Sequence, residues 1–245
     1  MVSTDYLFEK YYYSNPTFAD GTATFHELCN AVIPRATHIL EIGAGFDNMT
    51  SAHLARLGTL VAVDISEEVR LNSNASAAIV YDGKSLPFED ASFHSCVSDY
   101  VIEHIEEPGA HFREVARVLK PGGHYCFRTP NRFHYVAFAS WLLPHGIHRL
   151  MSNPLRGRSA DAPEPYPTHY RANTRAAVRR VCRKSNLDIQ TMLMVEAEPS
   201  YGRCHPIAFM PMVAYERIVN RWSILDQFRA NIFCVARKRA LPRST

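Results

Sequence analysis

His38-Ile39-Leu40-Glu41-Ile42-Gly43-Ala44-Gly45-Phe46-Asp47-Asn48-Met49-Thr50 decides how this chain is read. An apolar run ends in an acid, two glycines follow one residue apart, and a helix-start signal closes the stretch. The pattern predicts a buried strand entering a tight turn, whose glycines let the backbone approach a ligand closely. Asn48 is placed to cap the next helix. That helix carries Met49, Ala52, Ala55 and Leu57 and ends near Gly58, read as a left-handed cap. A second apolar run, Thr59 to Val63, closes on Asp64. An acid at the tip of the second strand can bind both hydroxyls of a ribose. Turn and acid together point to a cofactor that contains a nucleoside.

The missing feature narrows the choice. A dinucleotide fingerprint needs a third glycine so that the helix N-terminus can approach a pyrophosphate. This chain has Phe46-Asp47-Asn48 there. A carboxylate in that place repels phosphates but not a cationic ligand, and Glu41 at the strand end points the same way. An NAD-dependent oxidoreductase is disfavoured.

Five short motifs occur in order: Glu41-Ile-Gly-Ala-Gly45, Val63-Asp-Ile-Ser66, Leu86-Pro-Phe-Glu-Asp-Ala-Ser-Phe93, Glu103-His-Ile105 and Leu119-Lys-Pro-Gly-Gly123. Together they resemble the class I S-adenosylmethionine-dependent methyltransferases, in particular the small-molecule group with a type 11 methyltransferase domain. The resemblance is good from Ala36 to Asn131. It implies an α/β, Rossmann-like, doubly wound sheet of seven strands, mostly parallel with an antiparallel last strand. It also implies S-adenosyl-L-methionine as cofactor, held by Glu41, Gly43, Ala44, Gly45, Asp64, Ile65, Asp82, Gly83, Asp99 and Tyr100. In such enzymes the acid after strand three meets the adenine amine, which assigns Asp82. An Asp-Gly pair is equally a turn signal.

The remaining elements follow from periodicity. Met1 to Ala19 is aromatic-rich and too irregular to read as a helix. A helix is predicted from Ala23 to Ala31, and strands at Ala77–Tyr81 and Phe93–Asp99. Ser66 reads as an N-cap with Glu67 and Glu68 behind it. Helical spacing after Asp99 would set Tyr100 and His104 on one face, at the sheet edge where ligands bind in open α/β folds. His104 is the candidate general base, with Tyr100 and Glu103 orienting it; a lone helical His can equally be structural. Phe112, Val115, Ala116 and Leu119 form a helical stripe, and Lys120-Pro-Gly-Gly123 a sharp turn into strand five, His124–Thr129. Asn173 or Thr174 caps an amphipathic helix that Asn186 ends. Leu187–Val195 and Ile232–Ala236 are the last strands, with Tyr201–Gln227 a candidate substrate wall.

Residues 132–171 break the pattern. Their first half is apolar but interrupted by Pro144 and Gly146, and their second half is rich in Pro and Arg. We read a substrate lid, with an interfacial helix as the alternative. The expected organisation is one domain, 1–245, with an N-terminal cap segment, 1–35, and the lid, 132–171, inserted after strand five. Tyr13, Asn131, His134, Trp141, His169 and Tyr170 are the candidate substrate-binding residues. His145 and His148 have no nearby carboxylate or Cys partners, so no metal is expected.

Composition bounds the rest. A chain of 245 residues, 47% hydrophobic, can fill an α/β core. Six dispersed cysteines without a Cys-x-x-Cys pair suit free core thiols in a reducing compartment. With no leader pattern and no apolar run of bilayer-spanning length, a cytoplasmic protein is expected, with contact at a membrane surface left open. Met1–His148 holds 10 basic and 17 acidic residues and Arg149–Thr245 holds 17 and 7, so the halves carry −7 and +10. An acidic half suits a sulfonium cofactor; a basic half faces an anionic substrate or surface, or is simply solvated arginine. The expected activity is methyl transfer to a small-molecule acceptor, hydrophobic or anionic. O-methylation of a natural product, sugar or lipid-linked intermediate is favoured. The rivals are a catalytically silent S-adenosylmethionine-binding regulator and, more remotely, the oxidoreductase. No nucleic-acid partner is expected, since the arginines form no dense basic–aromatic platform. The oligomeric state is left open.

Overall fold

In a computed structural model, which describes residues 3–15, 18, 20–136, 166–199 and 206–240, the apolar runs become one seven-stranded sheet. Its strands are β1 (His38–Ile42), β2 (Thr59–Asp64), β3 (Ala77–Val80), β4 (Phe93–Asp99), β5 (Leu119–Pro130), β6 (Leu187–Val195) and β7 (Asn231–Lys238), in the order β3-β2-β1-β4-β5-β7-β6. β1 pairs in parallel with β2 and β4, setting Leu40 between Val61 and Cys96. β2–β3 and β4–β5 are parallel too. β7 enters between β5 and β6 and runs the other way. The end of β5 meets the start of β7 through Asn131 N–H to Ala230 O, and Lys238 Nζ near the end of β7 reaches Leu119 O. Strand order reverses at β1 and β4, which opens a crevice beyond their C-terminal ends.

The helices on the sheet form where the apolar spacing asked for them. On α4 (Pro108–Val118), Phe112 packs edge-on to Tyr125 and Phe127 at 5.5 and 5.4 Å. Behind it His111 Nε2 lies 3.1 Å from the Tyr125 hydroxyl, which donates to Ser98 Oγ. α5 (Arg175–Lys184) starts at Thr174, whose hydroxyl accepts from Ala177 N–H. It buries Ala177, Val178, Val181 and Cys182 and leaves Arg179, Arg180 and Arg183 exposed. Asn186, in the left-handed region at φ 59°, stops it.

Several expectations are corrected. Gly58 is not a left-handed cap, because among the described residues the left-handed glycines are Gly43, Gly45, Gly83 and Gly122. It is required for a close approach instead: a Cβ there would stand 2.2 Å from Thr37 O. The Lys120–Gly123 turn is an irregularity inside β5, where the register slips after Phe93↔Leu119 and resumes at Ser95↔His124. The segment behind Ser66 is a 3-10 turn, Glu67–Leu71, with the Ser66 hydroxyl accepting from Glu68 N–H. The aromatic N-terminal segment is helical: α1 (Thr4–Phe8) continues into a wider π-type turn, Glu9–Tyr13.

The chain divides into two compact units. The larger comprises Phe25–Pro130, Thr168–Leu193 and Ile232–Thr245, and includes α3 (Met49–Ala55) and most of α2 (Gly21–Asn30). The other comprises Met1–Thr24, Asn131–Pro167 and Met194–Asn231, so it draws on more of the chain than the expected cap and lid. Its core packs Phe8 and Tyr12 against Phe209 and Val213 of α6 (Pro206–Arg221). Most of the expected lid, 137–165, lies outside the described residues.

Gly58 gives a test of close approach against turn chemistry. Gly58→Ala should lower stability in urea by about 1–3 kcal/mol or more, because the clash is with backbone that cannot rotate away. Gly58→Asn should be at least as damaging. At a left-handed cap Asn would be the better tolerated of the two, so an Asn variant more stable than the Ala variant would restore the cap reading.

Candidate functional site

The glycine turn lies at the crevice, where β1 ends. Gly43 and Gly45 take φ of 73° and 56°, and the N–H groups of Gly43 and Ala44 both donate to Val63 O. A Cβ on Gly43 would fall 2.3 Å from the Val101 side chain, whereas one on Gly45 would meet nothing within 4 Å. The first glycine therefore packs the turn onto the chain after β4, and the second opens it. Asp64 braces the arrangement from β2. Its Oδ2 accepts from Gly45 N–H and its Oδ1 from Ser66 N–H, each at 2.9 Å. Each oxygen keeps a second lone pair, so the carboxylate can still accept from a diol.

Beneath the turn lies a closed polar network. Ser51 Oγ donates to Glu41 Oε2 at 2.6 Å and accepts from Asn48 Nδ2 and Asn72 Nδ2 at 2.7 and 2.9 Å. Asn48 caps α3 as its sequence position predicted, accepting from Thr50 and Ser51 N–H at 2.8 Å. Burial, with Asp99 and Asp64 nearby, pushes the Glu41 carboxyl up to about 8. Glu41 thus keeps its proton at neutral pH. Asp47, one residue before the place of a third glycine, accepts from Ser73 N–H, Ser73 Oγ and Asn74 Nδ2 and so fastens the turn to the loop before β3.

Asp99, at the tip of β4, is taken by protein partners. Arg128 on β5 grips it with Nε and, at 2.8 Å, with Nη2, and Thr50 Oγ1 donates to it at 2.7 Å. The Arg128 guanidinium lies against the rings of Tyr100, Phe25 and Phe233 at 4.7, 5.1 and 5.9 Å. His26 extends the chain: its Nε2 lies 3.1 Å from Thr50 Oγ1, and its ring stacks on His53 at 4.2 Å. Burial, then His53 and Arg128, lower His26 to about 4. The sequence reading missed Arg128, Thr50 and His26. Only Arg128 left a signal, as a charged residue inside the buried run Cys126–Thr129, which must find a partner.

The turn after β3 is simpler. Asp82 Oδ1 accepts from the N–H groups of Lys84 and Ser85 at 2.8 Å, and these bonds hold its carboxyl below the usual range. Ile65, half exposed, lies against Gly83, where a Cβ would be 3.0 Å from its Cγ2.

The candidate catalytic stretch is not helical in the way the spacing suggested. Tyr100 adopts φ 57° with its N–H donating to Arg128 O, and only Ile102–His104 form a 3-10 turn. Tyr100 and His104 therefore do not share a helix face; the left-handed residue breaks the spiral before it starts. Glu103 is buried, accepts from Thr129 Oγ1 at 3.0 Å, and has its carbonyl bound by the N–H groups of His169 and Tyr170. Asn173 Nδ2 completes that anchor on Thr129 Oγ1 at 2.7 Å. His104 Nε2 stands 3.9 Å from Glu103 Oε1 and is partly exposed.

The structure thus brings His169 and Tyr170 to the catalytic stretch; Tyr13, Asn131 and His134 belong to the second unit. Asn131 is buried and binds the carbonyls of Gln227 and Arg229; His134 packs on Tyr135 and lies 3.5 Å from Glu196. Tyr13 is exposed beside Phe8, and its neighbour Tyr12 is the buried ring. Trp141, His145 and His148 lie outside the described residues.

This geometry has known counterparts. Residues 40–127 match the family described as a methyltransferase domain, type 11. Over these residues the chain carries a methyltransferase domain, and its sheet has the Rossmann-like methyltransferase fold. A ubiquinone biosynthesis O-methyltransferase of Xanthomonas axonopodis pv. citri (strain 306) is 33% identical over 135 residues, 47% of this chain and 55% of that one. A solved S-adenosylmethionine-dependent methyltransferase from Methanosarcina mazei aligns at 18% identity with TM-score 0.55, over 87% of this chain and 98% of that one. The [4+2]-cyclase SpnF aligns at 17% identity with TM-score 0.56, over 94% and 87%. The chain spans about half the length of several curated relatives it matches. In the methyltransferase domain the glycine turn and Asp64 fall within the matched residues, and so do Glu41, Asp82 and His104.

Glu41 gives a prediction with a defined sign. Its folded value, about 8, is above its ordinary 4.5, so the stability tied to its proton is complete below 4.5 and is lost as pH rises through 8. Glu41→Gln keeps the acceptor for Ser51 without the titration. Unfolding in denaturant should show the variant gaining on the wild type between about pH 5 and about pH 9, by on the order of a few kcal/mol. A difference that does not change with pH would mean that Glu41 is ionised in the fold.

Proposed function

We propose that this chain transfers the methyl group of S-adenosylmethionine to an oxygen of a small-molecule acceptor. The observation that carries the reading is Asp64: it braces Gly45 and Ser66 while keeping acceptor capacity for a ribose diol, at the switch between β1 and β4. Gly43 to Gly45 offer backbone for close approach, and Ile65 with Asp82 form the edge for the adenine. The bound cofactor supplies an electrophilic methyl, so the protein's part is alignment and exclusion of water, able to provide roughly 7–11 kcal/mol. For a hydroxyl nucleophile a general base adds about 10²–10⁴-fold. His104 is the group for it. It is partly exposed, unlike Glu103, and Glu103 is fixed by Thr129 so that it can orient the ring and stabilise its charged form. The name of the Xanthomonas relative, an O-methyltransferase, supports oxygen as the acceptor atom. A second reading is kept because SpnF, a cyclase, has the same fold: the chain would bind the cofactor without transferring its methyl.

Titration calorimetry should show S-adenosylmethionine and S-adenosylhomocysteine binding, with negligible NAD(H) binding. Asp64→Asn should weaken both by about 1.5–3 kcal/mol, one charge-assisted contact. Unchanged affinity in that variant would remove Asp64 from the site. Against a panel of phenolic and sugar hydroxyls, wild-type turnover should exceed that of His104→Ala by about 10²–10⁴-fold at equal cofactor affinity. Full activity in His104→Ala would move the base elsewhere. Tight cofactor binding without turnover on any acceptor would favour the second reading.

A further inference from the structure

The second unit holds a cleft of about 260 Å³ whose lining residues all belong to that unit. Three rings, Tyr11, Tyr12 and Phe18, line it together with Asn220 and two acids, Glu196 and Glu216. The side chains of both acids are only 4% exposed. The side-chain donors beside them are spent. The Tyr12 hydroxyl donates to Glu216 Oε2 at 3.1 Å, and Asn220 Nδ2 to Glu216 Oε1 at 2.7 Å and Glu196 O at 2.9 Å. Arg217 Nε lies 3.3 Å from Glu216 Oε2, and its guanidinium covers the Tyr12 ring at 5.6 Å. Burial first, then Glu216, raise the Tyr12 hydroxyl above its usual range, so it remains a donor. The acceptors are not used up. Glu196 Oε2 takes Ala230 N–H at 2.7 Å, and His134 Nε2, which makes no hydrogen bond, stands 3.5 Å from that same oxygen. Among the described residues no donor reaches Glu196 Oε1. Glu216 Oε1 keeps a second lone pair beside Asn220.

We infer that this cleft binds a small organic cation with N–H donors, a primary or secondary ammonium. A buried carboxylate oxygen without a donor carries a desolvation cost, and an ammonium removes it through a charge-assisted bond. The rings ask for the same ligand on separate grounds, since their faces attract a cation, and the protein already sets its own Arg217 over one of them. A neutral alcohol would supply the bond to Glu196 but not the charge for the rings. An anion would meet two buried acids. The cleft is just smaller than the roughly 300–1,000 Å³ of a drug-sized site, so the cation is compact. The inference does not depend on methyl transfer and can hold or fail separately from it.

Titration calorimetry of the full chain with phenethylamine, its neutral counterpart phenethyl alcohol and the anion phenylacetate tests it. The amine should bind, the alcohol about tenfold more weakly or worse, and the anion not measurably. The trimethylated amine keeps the charge but has no N–H, and should bind about fivefold more weakly or worse. In Glu196→Gln the amide oxygen can still accept from Ala230 N–H while an NH₂ donor replaces the unused acceptor. Amine affinity should fall by about 10–100-fold. Phe18→Leu keeps an apolar wall without the ring face, and should weaken the amine by about threefold while leaving the alcohol nearly unchanged. Circular dichroism and thermal melting establish that each variant folds. Should Glu196→Gln not fold, the order of the ligands on the wild type and Phe18→Leu decide the matter. No amine binding at millimolar concentration would overturn the inference. So would an alcohol or trimethylated amine that binds as tightly as the amine, or unchanged affinity in folded Glu196→Gln.

Discussion

Each oxygen of Asp64 holds a backbone N–H from a different loop, Gly45 on one side and Ser66 on the other. The crevice takes its shape from this constraint. β2 delivers the carboxylate to the right depth because its register against β1 is fixed by a buried face, where a slip by one residue would turn every side chain over. The turn can meet Asp64 only in left-handed backbone, available without strain to glycine at 43 and 45. Asp47 and Asn72 then tie the same turn to the loop before β3, so the ligand-facing backbone is held from several sides. Preorganisation of this kind lowers the ordering cost of binding.

The carboxyls around the crevice have different fates. Glu41 carries its proton, because burial beside two other acids outweighs its single bond from Ser51. Asp99 is gripped by Arg128, whose guanidinium is in turn packed by three aromatic rings. Asp64 and Asp82 are left as acceptors at the open edge. Two histidines, one half-buried and one buried, bound the range on the acid side. His26 and His111 are both lowered to about 4 from 6.5, by desolvation first. Their neutral forms favour the fold above 6.5, and that contribution is lost as pH falls through 4, the opposite sense to Glu41.

What could be read from the sequence is what local chemistry determines. Strands β1 to β4 and β6, the Asn48 and Thr174 caps and the stop at Asn186 were visible because periodicity and capping act within a few residues. The antiparallel last strand came through the family resemblance. Gly58 was misread because a close approach to Thr37 and a left-handed cap ask for the same residue, and only tertiary contact separates them. Tyr100 and His104 were misread because helical spacing was assumed across a residue that the Arg128 carbonyl holds in left-handed backbone. The clamp of Asp99 by Arg128, Thr50 and His26 joins β4, β5, α3 and α2. No spacing rule links four elements so far apart in the chain, and the buried arginine was its only trace.

The basic half of the chain shows why charge counts alone decide little. Its +10 includes two arginine groups with different surroundings. On α5, Arg179, Arg180 and Arg183 occupy the outer face of an ordinary amphipathic helix, opposite Val178, Val181 and Cys182. Water satisfies them, and they need no partner to explain them. On α6, Arg217 is exposed but reaches back with Nε to Glu216 Oε2 at 3.3 Å. The same residue type at similar helical spacing therefore means solvation on one helix and an ion pair on the other. The difference lies in the neighbouring acid: Glu216 stands beside Arg217 on α6, whereas α5 carries no acid at all.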